Sequence, residues 1–311
     1  MHERLLDWLV CPGCLPEERR LGISGQRREG ADIVSGRLTC PGCGAAYAVE
    51  DGLADLTPPG LAVPAPQARY DGERLAASYL WSHFADLWND PEATAASASF
   101  AALGDGARGP GLDAGCAVGR CTLELAARVG FAVGVDLSRQ FVALARRIVR
   151  EGGLAFFAPL QGLRTTECSF ALPGRLRRGG VEFLRADAMA LPFRREVFGV
   201  AVSLNLVDKL PAPRRHLREC QRVCAAPATL VVADPFSWSP DVAPPEAWLG
   251  GTPETGDSAA ATAAFLAETP GWSARPGGNV AWSLRDHKNR YERITSEIVL
   301  ARRAAAACRL P

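Results

Sequence analysis

Four cysteines stand in two identical Cys-Pro-Gly-Cys knuckles, Cys11 with Cys14 and Cys40 with Cys43. A two-residue gap lets one tight turn aim both sulfurs at a single ion, and four thiolates satisfy tetrahedral Zn²⁺. Twenty-five residues separate the pairs, slightly more than is usual, and the Arg/Gly-rich stretch between them reads as a polar loop that absorbs the excess. Four protein ligands leave no open position, so the expected ion is structural, not catalytic.

A different chemistry is written at residues 112–120, LDAGCAVGR. An apolar strand carries Asp113, and Gly115 and Gly119 then flank a turn into a helix. Glycines there let backbone approach a ligand at the carboxyl edge of a parallel sheet. The middle position of the familiar G-x-G-x-x-G pattern is Ala117, so a diphosphate-binding loop is a poor match. Asp136 ends the next strand-like run, FAVGVD, 21 residues after Gly115. A carboxylate at that place can accept both hydroxyls of a ribose, while Ser138 is the better helix cap. A nicotinamide dehydrogenase shares the ribose carboxylate, but it should carry a fuller glycine set and a residue for hydride chemistry, and neither is visible.

These positions need a scaffold that delivers them to one edge. GLDAG, FAVGVD, VEFLRAD, GVAVSLN and ATLVVAD read as strands, with RCTLELAARV, SRQFVALARRIV and APRRHLRECQRV as helices among them. That alternation implies right-handed crossovers and an α/β, Rossmann-like, doubly wound, mostly parallel sheet. Residues 152–180 read as irregular, and YERITSEIVLARR as an edge strand. The small cysteine unit, with helical spacing in Leu5, Leu6 and Leu9 and strands at RLTC and AAYAV, spans 1–56. TPPGLAVPAPQ opens a Pro-rich linker over 57–69, and the α/β unit runs from 70 to 311.

The chain of 311 residues is 48% apolar and carries a net charge of +1, so no global field recruits nucleic acid or a membrane surface. No apolar run is long enough to span a bilayer and no secretory leader opens the chain. The paired cysteines suit a reducing cytoplasm better than a disulfide scaffold.

The motifs carry two resemblances. LLDWLVCPGC…LTCPGCGAAYAVEDGLADL resembles the small zinc-ribbon proteins that partner and activate methyltransferases. D-x-G-x-A in the first turn is similar to the opening motif of class I S-adenosylmethionine-dependent methyltransferases. That resemblance implies a cofactor site of Asp113, Gly115, Cys116, Ala117, Gly119 and Arg120, then Asp136, Leu137 and Ser138, then Asp187 and Ala188 for the adenine, with Asn205 facing the methyl donor. YLWSHF, NLVDKL, PFSWSPDVAPPEAWLGG and SLRDHKNRYERITSEIVLARR resemble the methyltransferase domain of the ovothiol-biosynthesis enzyme, although its sulfoxide synthase domain is replaced here by the ribbon. The implied substrate is a small imidazole or thiol, such as a thiolated histidine methylated on nitrogen. Tyr79, His83, Asn205 and Asp208 are then candidate catalytic residues, and Trp238, Trp248, Arg285 and His287 candidate substrate contacts.

Two other readings stand beside this one. An RNA or protein methyltransferase could use the ribbon for docking, with Arg19, Arg20, Arg27, Arg28, Arg175, Arg177 and Arg178 near phosphates. A catalytically dead scaffold is opposed by the intact acidic and glycine positions. The expected partners are a small substrate and, through the ribbon, a protein. The remaining cysteines, Cys116, Cys121, Cys168, Cys220, Cys224 and Cys308, read as small core hydrophobes.

Overall fold

The computed structural model describes residues 1–61 and 69–305. Most of the Pro-rich linker and Cys308 lie outside them.

Four strands, β1 (Gly22–Glu29), β2 (Asp32–Thr39), β3 (Ala46–Glu50) and β4 (Leu53–Ala54), form an antiparallel sheet in chain order. The expected polar loop between the knuckles is therefore a β1–β2 hairpin, paired from Gly22 with Thr39 to Glu29 with Asp32. Nearly every β1 residue is exposed, so the strand shows no apolar alternation. The Leu5 helical spacing resolves as a short 3₁₀ turn over Glu3–Asp7.

Helices α1 (Glu73–Phe84) and α2 (Ala96–Ala102) precede the alternating region. There follow β5 (Gly111–Ala114), α3 (Arg120–Val129), β6 (Phe131–Asp136) and α4 (Arg139–Glu151). A hairpin of β7 (Gly153–Gln161) and β8 (Arg164–Ala171) fills the segment expected to be irregular. The chain continues with β9 (Gly180–Arg185), β10 (Phe198–Leu204), α5 (Pro213–Val223), β11 (Cys224–Asp234), α6 (Ser258–Ala267), β12 (Trp272–His287) and β13 (Arg290–Arg303).

The main sheet has the order β12-β13-β11-β10-β5-β6-β9. β11, β10, β5, β6 and β9 are mutually parallel, and β13 is antiparallel to β11 and β12. It is the doubly wound, mostly parallel sheet expected. β13 is an inner strand, however, because the unforeseen β12 covers it and takes the edge.

The two sheets share a core. One apolar cluster joins Leu5, Leu9, Ile33 and Leu38 of the cysteine unit to Leu112, Val133 and Leu184 of the α/β unit. Trp8 packs edge-on against Phe131 and Phe198, with centroids 5.7 and 5.9 Å away. Backbone bonds seal the seam: Val10 N–H to the Pro192 carbonyl (3.0 Å), Arg194 N–H to that of Trp8 (2.8 Å) and Leu56 N–H to that of Arg185 (2.7 Å). Asp55 lies parallel beside Arg185, so the chain leaving β4 extends the β9 edge. Covering that edge removes a row of unpaired backbone groups. Among the described residues no helix is long and apolar enough to cross a membrane.

Candidate active site

The carboxyl ends of β5, β6, β9 and β10 open into one cleft. α1, α2 and the β12–β13 hairpin roof it through Tyr79, Ser82, His83, Ala96, Ser97, Phe100 and Trp282. Ser82 ties roof to roof by donating to the Ser283 carbonyl at 2.6 Å.

The turn after β5 is built in left-handed backbone: φ is +83° at Gly115, +45° at Ala117 and +88° at Gly119. A Cβ on Gly119 would lie 2.6 Å from Phe183 and 2.9 Å from Ala145, so only glycine lets α3 start against the sheet. Ala117 accepts the strained conformation at a cost of about 1 kcal/mol. Its N–H donates to Asp136 Oδ2 at 2.9 Å, and the Ser138 N–H donates to Asp136 Oδ1 at 2.9 Å. The carboxylate thus fastens the turn to the end of β6. Burial pushes Asp136 up to about 6. Asp113, which accepts from Thr122 at 2.7 Å, is pushed by burial up to about 7. Ser138 caps α4, accepting from the Phe141 N–H. On β9's side Asp187 receives the Met189 N–H at 2.8 Å. The Ala188 carbonyl is held by His216 Nδ1 at 2.9 Å, while the other ring nitrogen meets Ser203 at 2.8 Å. A carbonyl only accepts, so Nδ1 carries the proton and Ser203 donates to Nε2.

The cleft brings together Asp113, Gly115, Cys116, Ala117, Asp136, Leu137, Ser138, Asp187, Ala188 and Asn205, along with Tyr79 and His83. Burial raises the Cys116 thiol well above its ordinary range, which leaves it a packing group. Seven other expected residues do not line the cleft. Gly119 closes the turn against Phe183 and Ala145. Arg120 is buried with its guanidinium on Asp86 (2.7 and 2.9 Å), Glu124 (3.0 Å) and the His83 carbonyl (2.8 Å), so it fixes the end of α1 instead of touching a cofactor. Trp238 and Trp248 stack on each other at 5.9 Å, and their ring N–H groups bond Ser258 and the Ala243 carbonyl, bracing the loop before α6. Arg285 is buried along β12, and His287 accepts the Asn289 N–H at the hairpin turn. Asp208 also stays outside: its Oδ2 receives Lys209 Nζ (2.8 Å) and the Ser237 N–H (3.0 Å).

Sequence reasoning missed Tyr70, Asp71, Arg185, Lys209 and Trp282 in the cleft wall. Lys209 carried a signal, being one of only two lysines in the chain. Arg185 had none, because its role depends on the neighbouring sheet. Its Nε donates to the Leu137 carbonyl (2.9 Å) and its NH1 to Asp55 Oδ2 (2.7 Å). The cysteine unit therefore reaches the residue beside Asp136 through one side chain. Asp55→Asn is expected to weaken S-adenosylhomocysteine binding by roughly three- to tenfold, on the order of one hydrogen bond. Calorimetry with parallel zinc analysis checks this, with zinc content expected to be unchanged.

The four knuckle sulfurs lie within 4.8 Å of one another. Cys11–Cys43 and Cys14–Cys40 are each separated by 3.7 Å. A tetrahedron with Zn–S near 2.3 Å has edges of about 3.8 Å. The donor set fits zinc, and Tyr47 Oη lies 3.2 Å from Cys11 Sγ to support it.

Residues 112–232 match the family described as methyltransferase domain, and residues 2–52 match the Trm112p-like protein family. The chain is an S-adenosylmethionine-dependent methyltransferase with a Trm112p-like domain at its start. Solved structures similar to this methyltransferase include a SAM-dependent methyltransferase from Aquifex aeolicus, 18% identical, covering 70% of this chain and 95% of that one with a TM-score of 0.42. Another, from Methanosarcina mazei, is 19% identical over 63% and 93% with a TM-score of 0.39. Magnesium protoporphyrin IX methyltransferase from Synechocystis PCC 6803 is 14% identical over 78% and 90% with a TM-score of 0.39. The domain matches, not these distant likenesses, decide the assignment.

Proposed function

We propose that this methyltransferase modifies a small imidazole or thiol, such as a thiolated histidine, on a nitrogen. The observation that carries the reading is the roof. The acceptor half of the cleft lies under α1, α2 and the β12–β13 hairpin, among Tyr79, His83, Phe100 and Trp282. That enclosure suits a compact aromatic ring better than a nucleic-acid strand. Four of the seven arginines weighed for phosphate contact are paired with carboxylates: Arg20 with Asp7, Arg27 with Glu29, Arg28 with Glu3 and Arg175 with Glu124. In this reading the boundaries at 56 and 70 separate a docking unit from a catalytic one, and the protein works in the cytoplasm.

When bound, S-adenosylmethionine supplies an electrophilic sulfonium methyl, so the chain's task is to bind, orient and exclude water. Asp136 would take the ribose hydroxyls, and Asp187 and the Ala188 N–H the adenine. His83 faces the acceptor. Its Nδ1 is buried with no hydrogen-bond partner among the described residues. Burial, then the Arg120 charge, lowers its pKa to about 4. The ring is therefore neutral at physiological pH, and Nδ1, in the tautomer protonated on Nε2, accepts a hydrogen bond that orients an acceptor N–H or S–H.

Incubation of the full chain with methyl-labelled S-adenosylmethionine and a panel of thiohistidines, histidine, thiols and total RNA tests this by mass spectrometry. Label is expected in a small imidazole or thiol; label in RNA alone overturns the reading. His83→Leu should lower kcat on an N–H acceptor by about tenfold, the worth of one orienting hydrogen bond, with S-adenosylhomocysteine affinity within about twofold. With His83 titrating near 4, the wild-type rate should show no histidine limb between about pH 5 and 8.

A further inference from the structure

We infer that Arg120 is a positioning residue for methyl transfer: it ties the turn after β5 to the end of α1 and so holds His83 over the cleft. The inference rests on the proposed function, in which His83 faces the acceptor.

Arg120 opens α3, directly after Gly119 closes the turn. Its backbone is therefore continuous with the turn, while its guanidinium reaches α1. Arginine carries five N–H donors, and each has a partner here. Nε and one Nη2 proton go to Glu124 Oε1 at 3.1 and 3.0 Å. The other Nη2 proton and one from Nη1 form a fork on Asp86, at 2.9 and 2.7 Å. The last, from Nη1, goes to the His83 carbonyl at 2.8 Å. That carbonyl belongs to the final turn of α1, where an α-helix leaves its carbonyls without partners of its own. Asp86 sits in the 3₁₀ turn that follows, Ala85–Trp88. One side chain thus grips the end of α1 at His83 and again at Asp86.

The grip is itself held. Glu124 is fully buried and also receives Arg175, at 2.5 and 2.9 Å, so the carboxylate that steers the guanidinium is fixed from a second side. Arg120 is 1% exposed. A buried ion pair adds little net stability over apolar packing, because both charges give up water. What this one supplies is a defined place for His83. The ring has Tyr79 at 5.9 Å and Phe84 at 6.4 Å on its own helix, and the charged groups acting on it are Arg120 from α3 and Asp86 from the next turn. Nδ1 has no hydrogen-bond partner among the described residues. The ring's direction into the cleft therefore depends on its backbone, and Arg120 bonds that backbone from outside α1.

Ring NMR of the histidine-labelled full chain tests this in two variants. Arg120→Lys keeps the charge but loses the fork, and Arg120→Met loses both. Arg120→Met leaves Glu124 paired with Arg175 and Asp86 partly open to water. If it nevertheless fails to fold, Arg120→Lys carries the test alone. His83, assigned by its loss in His83→Leu, should shift in both variants, while His2, His216 and His287 keep their positions. In Arg120→Met its titration should also rise from about 4, because the repelling cation is gone and Asp86 remains. S-adenosylhomocysteine affinity by calorimetry should hold within about threefold. With thiohistidine as acceptor, kcat should fall about tenfold in either variant, as in His83→Leu. Arg120→Lys combined with His83→Leu should be no slower than His83→Leu alone. A merely structural role would lower kcat by the same factor in both backgrounds. Equal losses in both backgrounds, or a His83 ring unmoved in both variants, overturn the inference. If wild type does not methylate thiohistidine, the proposed substrate fails by itself and the ring signals decide on Arg120. If His83→Leu matches wild type, the acceptor contact of His83 and the inference fall together.

Discussion

Replacing Asp136 by alanine is expected to weaken S-adenosylhomocysteine binding at least about 100-fold. An ionised carboxylate has about four acceptor positions. Two are occupied by the Ala117 and Ser138 N–H groups, leaving two for ribose hydroxyls. Two charge-assisted bonds at about 1.5–3 kcal/mol each amount to at least about 3 kcal/mol, roughly a hundredfold or more. The variant also frees Ala117 from the bond that accompanies its left-handed backbone. Binding should depend on pH with a defined sign. Burial raises Asp136 to about 6 in the free protein. The ligand needs the carboxylate as acceptor, so affinity should be flat above about pH 7 and fall towards tenfold per unit below about 6. Calorimetry from pH 5 to 8 checks the slope, and a flat profile would contradict the ribose role.

The second large effect is expected at Cys11→Ser. Loss of one ligand from a closed four-cysteine site should release the zinc, which supplies much of the folding energy of so small a unit. The damage should not stay local. Trp8, Leu5 and Leu9 share a core with the β5–β6 region, and Leu56 is bonded to Arg185 on β9. The variant should lose its metal and drop the Tm of the whole chain by roughly 10 °C or more. Its S-adenosylhomocysteine affinity should fall as well, because Asp55 would no longer hold Arg185 against Leu137. Retention of one zinc per chain would show that the ligand set is wrong.

Local signals were the legible ones. The knuckle spacing, the strand–turn–helix at 112–120 and the Asp136 position depend on neighbours in sequence, and the parallel strands announce themselves as apolar runs. The strands that escaped notice lack that pattern. β1 is exposed along most of its length, β7 and β8 alternate weakly, and β12 is interrupted at Pro276, Gly277 and Gly278, where its register shifts. Missing β12 also misplaced the substrate wall. Trp282, not Arg285 or His287, is the β12 residue lining the cleft. Arg120 follows the glycine turn directly, yet the helical geometry of α3 turns its side chain onto Glu124 and Asp86. Arg185 escaped because it takes its place from a tertiary partner, Asp55 of the zinc unit.

The most direct test of the central claim is a crystal structure of the full chain with S-adenosylhomocysteine. The adenosyl group should lie against the turn at Gly115 and Ala117, with both ribose hydroxyls on the Asp136 carboxylate and the adenine beside Asp187. Density for the nucleoside elsewhere, or a ribose whose hydroxyls bond other groups while Asp136 keeps only Ala117 and Ser138, would contradict it.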